Sequence, residues 1–301
     1  MDHVRRIRIA LTSLRYVRDC AAITRGERDA HDAFILSTIA NVSAAFLSQA
    51  TEESAHFATA NSPAPDELLR PISINALAQS LGMPFETVRR RVAGLRDEGL
   101  ISVTPAGAVI LSRTLASPAY TAMVAAHFER ARQFYRDMKA LEALPPLASG
   151  AAMERPRSEL PIRVVSRTAS DYFLRTAQPL FVLCGSLVGA SLLAEVVLSN
   201  TEDMDDEALA RWADDAGASG RPASMAQVAK AVSVARETAR RHASILEERQ
   251  FVVVTRRGLI ATAPAELQAH LIQLAATNLA DARRFFATIE RFGILPDWEA
   301  A

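Results

Sequence analysis

The sequence predicts a mainly helical protein with two small β-hairpins, built by duplicating one module along a single chain. Two observations carry this expectation. Residues 70–107 align without a gap on residues 221–258, and each copy passes from amphipathic helical spacing into a pair of short β-branched runs. The copies, RPISINALAQSLGMPFETVRRRVAGLRDEGLISVTPAG and RPASMAQVAKAVSVARETARRHASILEERQFVVVTRRG, are identical at 12 of 38 positions, where unrelated sequences of this composition would share about 3.

Within the module the elements follow in order. Ser73 is placed to cap a short helix, INALAQSLG, because its side-chain oxygen can accept from the free first-turn amides, and Ser224 stands in the same place before MAQVAKAVS. Gly82 permits a tight turn. Pro84 suits the first turn of the next helix, where its missing N–H is no loss, and Ser233 is expected to cap the counterpart. Val88, Val92 and Leu95 recur at i, i+4 and i+7 and so face the core, and Ala239, Ala243 and Leu246 repeat that stripe. These second helices are expected over 84–96 and 233–248, the first stopping near Gly99. The runs ISV and VIL then flank Thr104, Pro105, Ala106 and Gly107, as FVVV and LIA flank Thr255, Arg256, Arg257 and Gly258. That is the pattern of a hairpin with glycine available for positive φ. Two helices and a hairpin in this order make a winged helix-turn-helix. The predicted fold class is mainly α with small β wings: tandem duplicated winged helix-turn-helix domains forming a pseudo-two-fold single-chain dimer.

The flanks repeat as well. An arginine-bearing helix (near 4–19 and 164–176), a long apolar helix (33–50 and 181–199) and an acidic connection precede each copy. A long helix follows each (118–141 and 265–292), where ARQFY answers ARRFF. Phe128, Phe134, Tyr135, Phe285 and Phe286 lie on these last helices at helical spacing, which points to core packing. Residues 145–161 are rich in proline, small residues and charge and are expected to form an exposed linker, separating domains 1–144 and 162–301. The stretch 181–199, FVLCGSLVGASLLAEVVLS, is the most membrane-like. It carries Gly185 and Gly189 at a spacing that permits close helix packing, but also Glu195, and is expected to be a buried helix of a soluble protein.

Basic and acidic residues number 34 each, so bulk charge points to no polyanion. Locally, 221–257 holds eight basic and three acidic residues, while 202–215 holds seven acidic and one basic. Cys20 and Cys184 form neither a disulfide framework nor a zinc motif, and the amino-terminal helix is broken by arginines throughout, unlike a leader; a cytoplasmic location is expected. The six histidines (3, 31, 56, 127, 242 and 270) show no metal-ligand spacing, and neither a Gly-rich phosphate loop nor G-x-S-x-G occurs. No enzymatic activity, cofactor, metal or membrane partner is expected.

Opposite the apolar stripes, Glu86, Arg89 and Arg90 in the first copy and Glu237, Arg240 and Arg241 in the second face outward on the amino-terminal half of the helix. In a helix-turn-helix this part enters the major groove. Arginine pairs bidentately with guanine O6 and N7, and glutamate accepts from cytosine N4. A second reading makes Glu86 with Arg90, and Glu237 with Arg241, i,i+4 salt bridges on a solvated face. Retention of E-T-x-R-R on both helices favours DNA contact. At the second wing Arg256 and Arg257 are placed to reach backbone phosphate or the minor groove, or to be plain solvated loop residues; the first wing offers uncharged Pro105 and Ala106. Arg70 and Arg221 suit phosphate contact and helix-end solvation equally. Arg91, answered by His242, has a structural or a phosphate role.

The run Arg236, Glu237, Thr238, Ala239, Arg240, Arg241 resembles the R-E-T-x-x-R recognition helix of the cyclic-AMP receptor class of bacterial regulators, and the whole module is similar to MarR-type and GntR-type winged helices. The resemblance implies that Arg236, Glu237 and Arg241 read base edges and that Thr238 neighbours phosphate. In the first copy Glu86, Thr87 and Arg90 match, but Phe85 stands where the first arginine would be, implying a different or weaker base preference. The resemblance does not extend to that class's cyclic-nucleotide domain, so it implies no effector. The function expected is a sequence-specific transcription regulator that binds double-stranded DNA through two non-identical recognition helices, its small-molecule effector unknown and further homo-dimerisation open. Two alternatives stand: a plasmid-type replication initiator, which also places two winged helices on one chain, and a winged-helix protein-interaction or chromosome-organisation protein, whose exposed face would be apolar or mixed.

Overall fold

The computed structural model describes residues 3–48, 51–147, 159–214 and 220–300, so most of the expected linker lies outside the described residues. In chain order the elements are α1 (His3–Arg25), α2 (Ala30–Ser43), α3 (Glu52–His56), α4 (Ile74–Leu81), α5 (Phe85–Asp97), β1 (Ile101–Thr104), β2 (Gly107–Ile110), α6 (Ser112–Leu115), α7 (Pro118–Ala140), α8 (Ile162–Cys184), α9 (Leu187–Thr201), α10 (Asp206–Asp214), α11 (Met225–Val232), α12 (Arg236–Glu248), β3 (Val252–Thr255), β4 (Gly258–Ala261), α13 (Gln268–Arg291) and α14 (Leu295–Ala300). The molecule is mainly α-helical, with two small antiparallel sheets among the described residues.

The chain divides into two compact units. One comprises Asp19–Arg136, Leu144–Gln178 and Asp281–Ala301 and holds the first copied segment; the other comprises Met1–Arg18, Asp137–Ala143 and Pro179–Ala280 and holds the second. Each unit draws on both sequence halves, so this division and the sequence-based one at 145–161 partition the chain differently.

In the first-copy unit α2 packs on α4, α5 and β2. Ser73 caps α4 as expected, its Oγ accepting from the Ala76 amide at 3.1 Å, and Gly82 ends the helix in the left-handed region at φ 60°. Strands β1 and β2 pair from Ile101 with Ile110 to Thr104 with Gly107. A third backbone segment joins them: Ile72 donates to the Ala108 carbonyl at 2.8 Å and accepts from the Ala108 amide at 2.9 Å. Gly107, at φ 134°, sits where this segment passes, and a Cβ there would run into the Ile72 carbonyl.

The second-copy unit repeats the arrangement with α9 against α11, α12 and β4, and Ala223 exchanging hydrogen bonds with Leu259. Gly258, at φ 141°, faces the Ala223 carbonyl in the same way. Two caps differ from expectation. Ser224 makes no side-chain cap bond to α11. Ser233 does not begin α12 but ends α11, left-handed at φ 57°, because it occupies the position of Gly82 in the turn; α12 begins three residues later, after Ala235.

The apolar helices are shorter than expected. α2 ends at Ser43 and a 3-10 turn takes over at Ala45–Ser48; residues 49 and 50 of the expected helix lie outside the described residues. The stretch 181–199 is two helices, α8 stopping at Cys184 and α9 starting at Leu187. Gly185 turns left-handed at φ 74° and Ser186 caps α9 by accepting from the Gly189 amide at 3.0 Å. The two glycines thus serve the break, with Arg249 packed over Gly185 and donating to the Leu183 carbonyl at 2.7 Å. Among the described residues no single helix is long and apolar enough to cross a membrane.

The aromatic residues on α7 and α13 are core, as expected. In the first-copy unit Phe134 lies 5.8 Å from Tyr172 and 5.3 Å from Phe286, Tyr172 stacks on Phe285 at 5.6 Å, and Phe128 meets Trp298 edge-on at 5.6 Å. His127 is buried beside them, 3.1 Å from Thr24 Oγ1, and burial pushes its imidazole down from 6.5 to about 4.

Two outcomes are expected. Replacing Gly107 or Gly258 by Ala should cost roughly 1–3 kcal/mol each in urea unfolding, since the new Cβ meets backbone at a φ that L-residues avoid. For His127 the fold favours the neutral ring, so the unfolded chain takes up the proton first, and the stability present above pH 6.5 is lost as pH falls towards 4. Acidification from pH 7 to 5 should then cost roughly 2 kcal/mol that a His127→Gln chain does not lose; equal acid sensitivity of the two chains would refute this.

Candidate nucleic-acid interface

The outward face of α5 exists because its inward face is fully committed. Val88, Val92 and Leu95 are buried, as are Ala239, Ala243 and Leu246 on α12. Helical spacing then leaves Glu86, Arg89 and Arg90 exposed on α5, and Arg236, Glu237, Arg240 and Arg241 exposed on α12, with Thr87 and Thr238 half-buried at the edges.

The ion pairs on these faces are not the i,i+4 pairs. Glu86 binds Arg89 at 2.9 Å, and Glu237 takes Arg240 in a two-bonded pair at 3.0 and 2.8 Å. Residues three and four apart are both helix neighbours of the glutamate, and the nearer arginine takes the carboxylate in both copies. Arg240 holds the Glu237 carboxyl below its ordinary range by this hydrogen bond and by its charge. Both partners stay about three-quarters exposed, so the pair adds little stability. Arg90 and Arg241, in consequence, have no acidic partner among the described residues.

Both helices also begin without a side-chain cap, after Pro84 and Ala235. Each therefore carries the positive end of the helix dipole at its start, which in α12 is where Arg236 stands. At the second wing Thr255 Oγ1 accepts from the Arg257 and Gly258 amides at 3.2 Å and donates to the Gly258 carbonyl at 2.8 Å, which fixes the tip that carries exposed Arg256 and Arg257. Glu247 ties this wing to α12 by accepting from the Val254 amide at 3.0 Å. The first wing has the same threonine lock, from Thr104 to Ala106 and Gly107, but exposes only Pro105 and Ala106 at its tip.

Arg91 has a structural role. Its Nη1 donates to Asp29 and Asp32 at 2.7 Å each, holding α5 to the start of α2, where Asp29 is the N-cap. Burial raises the Asp29 carboxyl, but Arg91, the Asp32 amide and His31 outweigh it and hold it below its ordinary value. His242 makes the corresponding contact in the second copy, its Nδ1 lying 3.2 Å from Oγ of Ser186, the N-cap of α9. Arg221 pairs with Asp203 at 3.2 Å in the open, whereas exposed Arg70 has no ion pair among the described residues.

Two positioning residues escaped the sequence reading. Ser43 Oγ accepts from the Ile110 amide at 3.3 Å, and buried Asn200 donates to the Arg221 and Leu259 carbonyls at 2.7 and 3.1 Å while accepting from the Ala261 amide at 2.7 Å. For Asn200 the signal available was a lone amide near the end of an apolar helix. Chemically, each module offers guanidinium donors on the exposed face of a braced helix, a geometry that suits acceptor pairs such as guanine edges or phosphate oxygens.

Replacing Arg91 by Ala should cost about 1–2 kcal/mol by leaving two half-buried carboxylates unanswered. Arg90→Ala should change thermal stability by less than about 0.5 kcal/mol. The two melting curves separate an arginine that holds the fold from one that faces outward. No protein-family model, curated protein or solved structure matches this chain.

Proposed function

We propose that this protein is a sequence-specific DNA-binding transcription regulator built from two winged helix-turn-helix modules, with α5 and α12 as non-identical reading helices. One observation carries the proposal: equivalent helices in two copies bury equivalent apolar stripes and expose Arg90 and Arg241 without an acidic partner among the described residues, beside matched Glu–Arg pairs. An isolated solvated helix gives no reason to keep that arrangement twice. The resemblance of the α12 run to an R-E-T-x-x-R recognition helix supports the same reading. On it, Arg236, Glu237 and Arg241 contact base edges, Thr238, Arg256 and Arg257 lie against the backbone, and Arg240 orients Glu237. In the first module Glu86, Thr87, Arg89 and Arg90 take the corresponding places.

The two heads differ in chemistry. Phe85 is 45% exposed where the second module has Arg236, and the first wing tip bears no charge. The first module therefore contributes less to charge-driven affinity, and its mixed face supports a second reading in which it meets a protein while α12 reads DNA.

The deciding experiment is enrichment of fragmented source DNA on the purified protein, with and without alanine at Glu237, Arg240 and Arg241. A short non-palindromic motif that the triple variant loses is expected. Arg241→Ala alone should cost roughly 1–3 kcal/mol at one base position. Undiminished motif selection by the triple variant would refute the assignment, and an origin-like array of repeated sites would redirect it to replication initiation.

A further inference from the structure

The first-copy unit holds a cavity of about 30 Å³ between α2, α7 and α8. A buried water needs roughly 10–15 Å³ of such space, so the cavity admits two waters, or one halide ion with a water, and is too small for sulfate, phosphate or an organic acid. Arg163 and Arg167, one turn apart on α8, both line it. Arg163 is saturated by neutral oxygens, donating to the carbonyls of Thr59, Ala60 and Leu115 at 2.8 to 2.9 Å. Arg167 is not. Its Nη1 reaches the Phe57 carbonyl at 3.2 Å, while Nε and Nη2 are shut off from solvent and have no hydrogen-bond partner among the described residues.

Carbonyl oxygens satisfy donors but do not neutralise charge. Among the described residues no carboxylate lines the cavity. The nearest along α8, Asp171, accepts from Asn41 Nδ2 at 2.9 Å and makes no ion pair with either arginine among the described residues. Tyr120, whose ring centre lies 6.0 Å from the Arg163 guanidinium, supplies no negative charge either, because burial raises its phenol and keeps it neutral at neutral pH. Burial, with the repulsion of Arg163, pushes the Arg167 guanidinium down to about 10, which leaves it charged at neutral pH. Two largely buried cations one turn apart are costly unless an anion answers them.

We propose that this cavity binds a monoatomic anion, chloride being the common one, chelated by the Nε–H and Nη2–H edge of Arg167. These two N–H groups lie on one side of the guanidinium, so a single spherical acceptor takes both. His127 Nδ1, another buried atom without a partner, supplies a further N–H when Thr24 donates to Nε2. Asn41 Oδ1, an acceptor without a partner among the described residues, takes the water beside the ion. The anion is a structural counter-ion of the first-copy unit, and the proposal does not depend on DNA binding.

Chlorine NMR of the full chain in chloride solution tests it. A buried ion in exchange broadens the chloride line saturably, and bromide is expected to displace it while sulfate is not. Chloride held by exposed arginines is released to sulfate instead. Arg167→Met removes the fork, and Ser170→Asp places a carboxylate on the cavity lining three residues along the helix from Arg167, within reach of it; each should weaken chloride by at least about tenfold. In thermal unfolding at one ionic strength, exchanging gluconate for chloride at about ten times its dissociation constant should raise the wild-type melting temperature by about 2–4 °C and leave both variants unmoved. Absence of saturable broadening in the wild type, displacement by sulfate as readily as by bromide, or undiminished chloride binding in either folded variant would each overturn the assignment, and the first two decide it even if neither variant folds.

Discussion

The hydrogen bonds made at the two ends of α2, and again at the two ends of α9, determine what each module presents to solvent. Burial of the stripe Val88, Val92 and Leu95 supplies cohesion but is non-directional, and an apolar stripe alone lets a helix slide or roll against its neighbour. Arg91 on the Asp29 N-cap and His242 on the Ser186 N-cap pin α5 and α12 at one end. At the other, Ser43 and Asn200 hold the hairpin strands by their backbone. Directional bonds at both ends turn a hydrophobic contact into a fixed orientation, and the exposed arginines inherit it.

The module itself was legible because its local signals agree with one another. A serine, a turn glycine, an i, i+4, i+7 stripe and a Thr-x-x-Gly hairpin all point to one arrangement, and the elements fall within a few residues of where those signals put them. The misreadings came where one position had two possible uses. Ser233 carries the side chain of a cap but occupies the slot of a turn residue, and the backbone conformation required there decided the outcome. In 181–199 the apolar run outweighed the Gly-Ser break it contains, although glycine after a helix and serine before one are ordinary boundary residues. The Glu–Arg pairing was undecidable from spacing, since residues three and four apart are equally near.

The two copied segments share one scaffold and carry unequal chemistry. The same clamp position holds an ion pair in one copy, Arg91 with Asp29, and an imidazole–hydroxyl contact in the other, His242 with Ser186. The same wing lock carries Pro105 and Ala106 in one and Arg256 and Arg257 in the other. The elements that brace α5 and α12 are kept in kind and altered in detail, while the exposed residues at the helix start and hairpin tip have diverged outright. Such a division lets the two faces specialise without disturbing what supports them.

The compact units take segments from both halves of the chain, and this sets the order in which the protein can be finished. Phe134 and Tyr172 complete their packing only against Phe285 and Phe286, and Phe128 against Trp298. During synthesis α2, α4 and α5 emerge early, but the aromatic core of their unit stays open until residues 285–298 have been made. The segment written first is thus sealed only after the second copied segment has been made, and the apolar surface that packs on residues 285–298 is exposed to chaperones and to misassociation in the interval.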